Sequence, residues 1–340
     1  MADYEILIVN LEGYGKGGLG TLAYDLHGLL IEQEIPSVLI ASGNPRDLPN
    51  VFLLEENDYD PVPPLVRRLS VRYRLILGRN EIAELSRHLS DLILMTGGTA
   101  YLQDWLEVHP QKTAIDFLRL KHLPKRTESD RIKRERLALE KATKVLSAPG
   151  LNRRILEKAY PEFTHKVFEV PQIFRSVRSE RSWESREIDL IAVAQWRDRG
   201  IDRDVKGYRL LVEILDLLGG KNLRTVVVGE VSFPVKGARH TGWLDHEETL
   251  GLMGNARVFV SPSRNECYSQ AIVEALQLGC NVVLSRNVEP HGFCPPGLIA
   301  RYDGRSFCQK IEKALTKRFS PRPMPSPKDA LDLLVSALQA

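Results

Sequence analysis

Short apolar runs alternate with segments of helical period along the whole chain. In the first half, apolar runs at residues 5–10, 37–41, 51–54, 91–96, 112–117, 144–148 and 167–170 predict strands. Helical patterns lie between them at 19–33, 129–141 and 151–159. In the second half the predicted strands are 188–194, 223–229, 257–261, 281–284 and 298–301. Their partner helices are 208–218, 246–254, 270–278 and 305–317. Runs of four to seven uniformly apolar residues suit strands buried on both faces, and repeated strand–helix alternation predicts parallel sheets with right-handed crossovers. The expected fold class is therefore α/β.

The alternation breaks twice. Residues 171–187, PQIFRSVRSERSWESRE, are charged and show no apolar period, so an interdomain connection is expected there. Residues 320–327, SPRPMPSP, set off a last helix at 328–339. The chain of 340 residues is long for one core. The expected division is a first Rossmann-like domain at 1–170, a linker at 171–187, a second at 188–319 and a terminal helix within 320–340.

Composition narrows the field. A net charge of +3 with no interleaving of basic and aromatic residues argues against a nucleic-acid partner. No stretch has the length and apolarity of a transmembrane helix, and a strand pattern starts at residue 5 with no signal-peptide pattern before it. The four cysteines, Cys267, Cys280, Cys294 and Cys308, have no metal-ligand spacing and read as free thiols of a reducing compartment. A cytoplasmic location is expected. Two basic segments, 63–79 and 119–136, could lie on the anionic inner face of a membrane. A solvated helix face is the first reading of both, and Glu128, Asp130, Glu135 and Glu140 dilute the charge of the second.

The most informative stretch is 258–283, VFVSPSRNECYSQAIVEALQLGCNVV. An apolar strand gives way at Ser261-Pro262-Ser263 to a loop, Glu266 closes the loop, and Ser269 is placed to cap a helix that carries Glu274 and ends at Gly279. Amides at a helix start favour phosphate, and carboxylates favour sugar hydroxyls. Glu266 and Glu274, seven residues apart in a strand–loop–helix, resemble the E-x7-E signature of the retaining family 4 glycosyltransferases, which have two Rossmann-like domains facing across a cleft (the GT-B type). That resemblance implies a donor site in the second domain, an acceptor site in the first, and a C-terminal helix crossing back to the first domain. It places Glu266 on the transferred sugar, Glu274 on the ribose, and the neighbouring Cys267, Tyr268, Ser269 and Gln270 along the donor.

Other segments are read beside it. Gly13, Gly15, Gly17, Gly18 and Gly20 follow the first strand. The second strand ends Ala41-Ser42-Gly43 without the acidic residue a dinucleotide site needs, and Lys16 is followed by Gly17 where a Walker loop needs Ser or Thr. Gly17-Gly18 instead resembles the paired glycines that these glycosyltransferases place toward donor and acceptor. Arg197 and Lys206, after the first strand of the second half, are the cations expected on a diphosphate. Lys206-Gly207 matches the Lys-Gly of similar enzymes, and Gln195-Trp196-Arg197 stands where Gly-Arg is commoner. Thr241-Gly242-Trp243-Leu244 resembles the loop bordering the nucleobase; a stacked or core Trp243 fits equally. Near the acceptor, where the family often has a His, the candidates are Asp116 and His122. Glycines common after the first Glu are replaced by Cys267 and Ser269. No Asp-x-Asp stands where a metal would be held, so neither metal nor cofactor is expected.

The resemblance thus implies transfer from a nucleotide-diphosphate sugar to a glycan, lipid-linked or small-molecule acceptor hydroxyl, with retention and without metal. Two alternatives stay open: an epimerase of the same fold, and a protein that binds nucleotide sugar or a partner subunit without turnover.

Overall fold

The structure is a computed structural model and describes residues 6–10, 18–41, 46–55, 74–75, 91–95, 113–117, 136, 139–140, 144–194, 196, 204–264, 266, 268–286, 288 and 291–339. The chain divides into two compact units, Met1–Arg175 with Pro325–Ala340, and Ser176–Met324.

The first unit is built on β1 (Ile6–Asn10), β2 (Ser37–Ala41), β3 (Val51–Glu55), β4 (Arg74–Leu75), β5 (Asp91–Met95), β6 (Thr113–Phe117), β7 (Lys144–Ser147) and β8 (Val167–Glu169). Their order in the sheet is β4-β3-β2-β1-β5-β6-β7-β8. Every pairing is parallel except β3 with β4. The short antiparallel β4 lies inside the basic segment 63–79, so Arg74 stands on a sheet edge and not on the helix face expected there.

Helix α1 (Gly18–Glu32) is buried on all sides over residues 21–27, with Leu22, Ala23, Tyr24 and Leu26 in the core, and again at Leu30. The same helix buries His27, whose Nε2 donates to the Pro49 carbonyl at 2.8 Å while Nδ1 lies 2.9 Å from the Ser37 hydroxyl. Asp25, also buried, pairs with Arg46 at 2.6 Å and accepts from the Arg175 amide. Helix α2 (Leu151–Ala159) follows β7. Helix α7 (Pro327–Gln339) packs on α1, burying Ala330, Leu331 and Leu334, and the Lys144 ammonium donates to the Leu338 carbonyl.

The second unit has β9 (Ile188–Val193), β10 (Thr225–Val228), β11 (Ala238–Gly242), β12 (Ala256–Ser261), β13 (Asn281–Ser285) and β14 (Ile299–Ala300). All are parallel, in the order β11-β10-β9-β12-β13-β14. Successive side chains of each strand go to opposite faces. Leu190, Val258, Val260 and Val283 pack under α3 (Tyr208–Leu218) and α6 (Gly304–Thr316). Ile191, Phe259, Val282 and Leu284 pack under α4 (His246–Gly254) and α5 (Gln270–Gln277). Uniform apolarity of the central strands is the consequence of this two-sided burial. The order reverses between β9 and β12, and open α/β sheets bind ligands beyond the carboxyl ends of the strands at such a point.

Within the charged stretch 171–187, residues 176–187 are packed onto the second unit. Val177 and Trp183 are buried, and the Trp183 indole donates to the Arg257 carbonyl at 3.0 Å. The Arg186 guanidinium, buried, donates to the carbonyls of Ala256 and Leu278. Desolvation lowers its pKa from the ordinary value, and it in turn lies against Cys280, whose thiol burial pushes up to about 11. Among the described residues, Cys280, Cys294 and Cys308 are buried thiols in no disulfide.

Burial holds the His27 pKa below its ordinary value, since the site disfavours the charged ring. A depressed histidine leaves stability complete above about pH 6.5 and removes it as the pH falls toward the folded-state pKa, because the unfolded chain then takes a proton that the folded one refuses. Urea midpoints should therefore fall between pH 7.5 and 5.5. His27→Gln should flatten that dependence by up to about 1.4 kcal/mol per pH unit. An unchanged slope in the variant would assign the acid sensitivity to other groups.

Candidate donor site in the second unit

The loop after β12 and the turn before α3 meet at a single point. Gly207 has φ +74, and a Cβ there would lie 1.9 Å from the Pro262 carbonyl oxygen, so only glycine lets the two backbones touch. The Arg264 amide donates to the Val205 carbonyl at 2.8 Å across the same junction. Lys206 is consequently brought to Glu266, and the two form an ion pair. The Ser263 hydroxyl donates to the same carboxylate oxygen, Oε1, at 3.1 Å. Glu266 is further fixed by a parallel bridge to Val288, just beyond β13. The Lys206 side chain is 42% exposed and Glu266 17%, so the pair sits at the surface of the carboxyl edge. The other cation of this loop, Arg264, lies over the Tyr302 ring at 5.5 Å.

The starts of α3 and α5, the helices that follow β9 and β12, differ. At α3 the buried Asp204 carboxylate accepts from the amides of Tyr208 and Arg209 at 2.8 and 2.9 Å, so that start is already occupied by an anion. At α5, Ser269 holds the N-cap position, but its hydroxyl makes no capping bond, contrary to the role expected for it. Among the described residues, the first amides of α5 thus have no cap from the N-cap side chain, and the helix starts at the same sheet edge as Lys206 and Glu266.

Glu274, on α5, is 5% exposed rather than solvent-facing. Its Oε1 accepts from His246 Nε2 at 2.7 Å and from Gln270 Nε2 at 2.9 Å; Oε2 takes no bond among the described residues. His246 is the first residue of α4, and Asp245 and Glu248 close a capping box around that start. Neither Asp204 nor His246 was expected from the sequence. The Asp245-x-x-Glu248 spacing is a readable signal of where α4 starts and so of where His246 stands.

The remaining expected site residues are dispersed or undescribed. Tyr268 is half-buried between Glu266 and α5. Gly242 ends the edge strand β11 and accepts from the Gly229 amide at 2.8 Å; Trp243 follows it, more than half exposed, so of its two readings the core one is excluded. Gly18 opens α1 and Asp116 lies in β6, both in the first unit. Gly17, His122, Arg197 and Cys267 lie outside the described residues. A cavity of about 510 Å³ between β11 and α4, lined among others by Arg239, Thr241, Glu248 and Leu252, has none of Lys206, Glu266 or Glu274 in its walls. Among the described residues, no three His, Cys, Asp or Glu side chains converge as metal ligands. No helix among them is long and apolar enough to cross a membrane.

A family model described as "Glycosyl transferases group 1" matches residues 198–317, which contain Lys206, Glu266 and Glu274. No curated protein sequence matches the chain. Three solved structures are similar in fold. Anabaena Alr3699/HepE in complex with UDP and glucose has a TM-score of 0.67 at 12% identity, over 99% of this chain and 95% of that one. Sucrose-phosphate synthase from Thermosynechococcus elongatus gives 0.67 at 13%, over 99% and 93%. The pneumococcal O-GlcNAc transferase GtfA in complex with UDP and GlcNAc gives 0.67 at 10%, over 100% and 99%. The expected α/β architecture of parallel sheets is therefore the observed one, shared with these glycosyltransferases along nearly the whole chain.

The loop junction generates a direct check. Gly207→Ala places a methyl against backbone at a positive φ and should destabilise the protein by about 2 kcal/mol or more. Urea unfolding measures it; a change below about 0.5 kcal/mol, the range of neutral surface substitutions, would show that the two loops do not depend on the contact.

Proposed function

We propose that the chain is a glycosyltransferase that moves a sugar from a nucleotide-diphosphate sugar to an acceptor hydroxyl. The observation that carries this reading is the gathering of Lys206, Glu266 and the uncapped start of α5 beyond the two strands that flank the sheet's reversal, β9 and β12. The group 1 family match over the same residues supports it, as do fold neighbours whose structures hold UDP.

The roles follow from charge. A diphosphate needs donors and a cation, which the α5 amides and Lys206 supply, with Arg197 as the second cation. Lys206 and Glu266 serve as each other's counter-ion. A half-exposed pair of this kind contributes little to stability, so re-partnering Lys206 onto phosphate costs little. That exchange frees the Glu266 carboxylate for hydroxyls of the transferred sugar. Glu274 accepts from the ribose hydroxyls. Gly242 and Trp243 border the base; the resemblance puts Gly17-Gly18 toward donor and acceptor, and Asp116 and His122 near the acceptor.

Helix amides and a lysine neutralise leaving-group charge without a metal, and retention follows from the family resemblance. The reaction is placed in the cytoplasm. A lipid-linked acceptor is the case in which the basic segments 63–79 and 119–136 would touch the inner membrane face.

The test is a panel of UDP-, ADP- and GDP-sugars, screened by thermal stabilisation and then by transfer, since only a ligand of the folded state raises the midpoint. With the donor so identified, Glu266→Ala should abolish transfer while the nucleoside diphosphate still binds. Glu274→Gln should weaken that binding by roughly 1.5–3 kcal/mol, the size of a charged hydrogen bond. The reverse pattern would exchange the two carboxylates, and stabilisation by no nucleotide sugar would refute the reading.

A further inference from the structure

Glu274 is a ribose ligand only if its carboxylate points the right way, and the residues around it determine that. Both hydrogen bonds it accepts in the protein fall on one oxygen, Oε1, from two different helices. Gln270 reaches it from one turn back on the same helix, an i,i+4 contact. His246 reaches it from the start of α4, where the Asp245–Glu248 capping box fixes the backbone. A carboxylate oxygen has two acceptor directions, and those of Oε1 are both taken. The carboxylate plane is thereby held from two sides, in a pocket where the Glu274 side chain is 7% exposed and His246 14%.

We infer that His246 is a positioning residue for the donor: with Gln270 it locks Glu274 so that Oε2 alone is presented to the ribose. This rests on the nucleotide-sugar reading above and adds two claims to it. The ribose contact is made by one oxygen and not by both, and its strength is set by a histidine that touches no part of the ligand. A carboxylate free to rotate would lose that freedom each time it bound, which costs free energy. Pre-fixing Oε2 removes that cost and makes the site sensitive to the presence of a hydroxyl at its one open acceptor.

The discriminating quantity is the preference for a ribonucleotide over its 2′-deoxy counterpart, which a general loosening of the fold would not selectively change. UDP, ADP and GDP are titrated calorimetrically into the wild-type chain, and the tightest is compared with its 2′-deoxy form. The wild type should prefer the ribo form by about tenfold or more, as for loss of a hydrogen bond to a charged group. His246→Leu should reduce the preference to about threefold or less, leaving a carboxylate held only by Gln270. His246→Gln, whose amide nitrogen reaches about as far as Nε2, should restore it. Gln270→Leu serves as the second variant if His246→Leu does not fold, and should act in the same direction.

Folded Leu variants that keep the wild-type preference would overturn the positioning role. A wild type that binds the nucleotide without preferring the ribo form would remove Glu274 from the ribose while leaving nucleotide binding intact. Failure of the wild type to bind any of the three nucleotides would instead overturn the donor reading on which the inference stands.

Discussion

The candidate site depends on two stretches of backbone touching where one of them has no side chain. Lys206 and Glu266 are 60 residues apart in sequence and follow strands β9 and β12, neighbours in the sheet. Parallel pairing brings the carboxyl ends of those strands to one edge, and that alone would leave the loops free to splay. The contact between Gly207 and Pro262 closes the gap, and the Arg264–Val205 hydrogen bond registers it. A lysine on the residue before the glycine and a glutamate at the end of the opposing loop are then obliged to meet. The glycine's value is thus steric first and chemical only through its neighbour.

Electrostatics at the edge differ between the helices that follow β9 and β12. A helix start offers amides with partial positive charge. At α3 a buried aspartate accepts from those amides. At α5 the capping position carries a serine that does not cap. Lys206, on the turn before α3, is paired with Glu266, on the loop before α5. The internal anchoring of Glu274 completes the pattern: groups that would contact donor are held by protein partners that use only part of their bonding capacity.

The central strands were legible because burial on both faces gives each a run of consecutive apolar residues, as in β10, β12 and β13. Strand β11 escaped because it is an edge strand whose residues, Ala238 to Gly242, are half-exposed and polar. The two-residue β4 is too short for any period to show. Burial within 176–187 is aperiodic, resting on Trp183 and on a guanidinium that satisfies backbone carbonyls, and such a segment looks like linker in sequence. Glu266 and Glu274 could be picked out because a strand, a loop and a helix frame them locally. Their partners could not: His246 lies 28 residues from Glu274, and only the packing of α4 beside α5 joins them. Asp204 was passed over because a carboxylate four residues before Tyr208 reads as loop until the turn at Gly207 folds it back onto the helix.

The account turns on the donor replacing the ion pair between Lys206 and Glu266. A crystal structure of the protein soaked with a non-transferable nucleotide-sugar analogue tests it most directly. The diphosphate should lie at the start of α5 with Lys206 Nζ on a phosphate oxygen, Glu266 released onto a sugar hydroxyl, and Glu274 Oε2 on the ribose. An analogue bound elsewhere, or bound with Lys206 still on Glu266, would contradict the account.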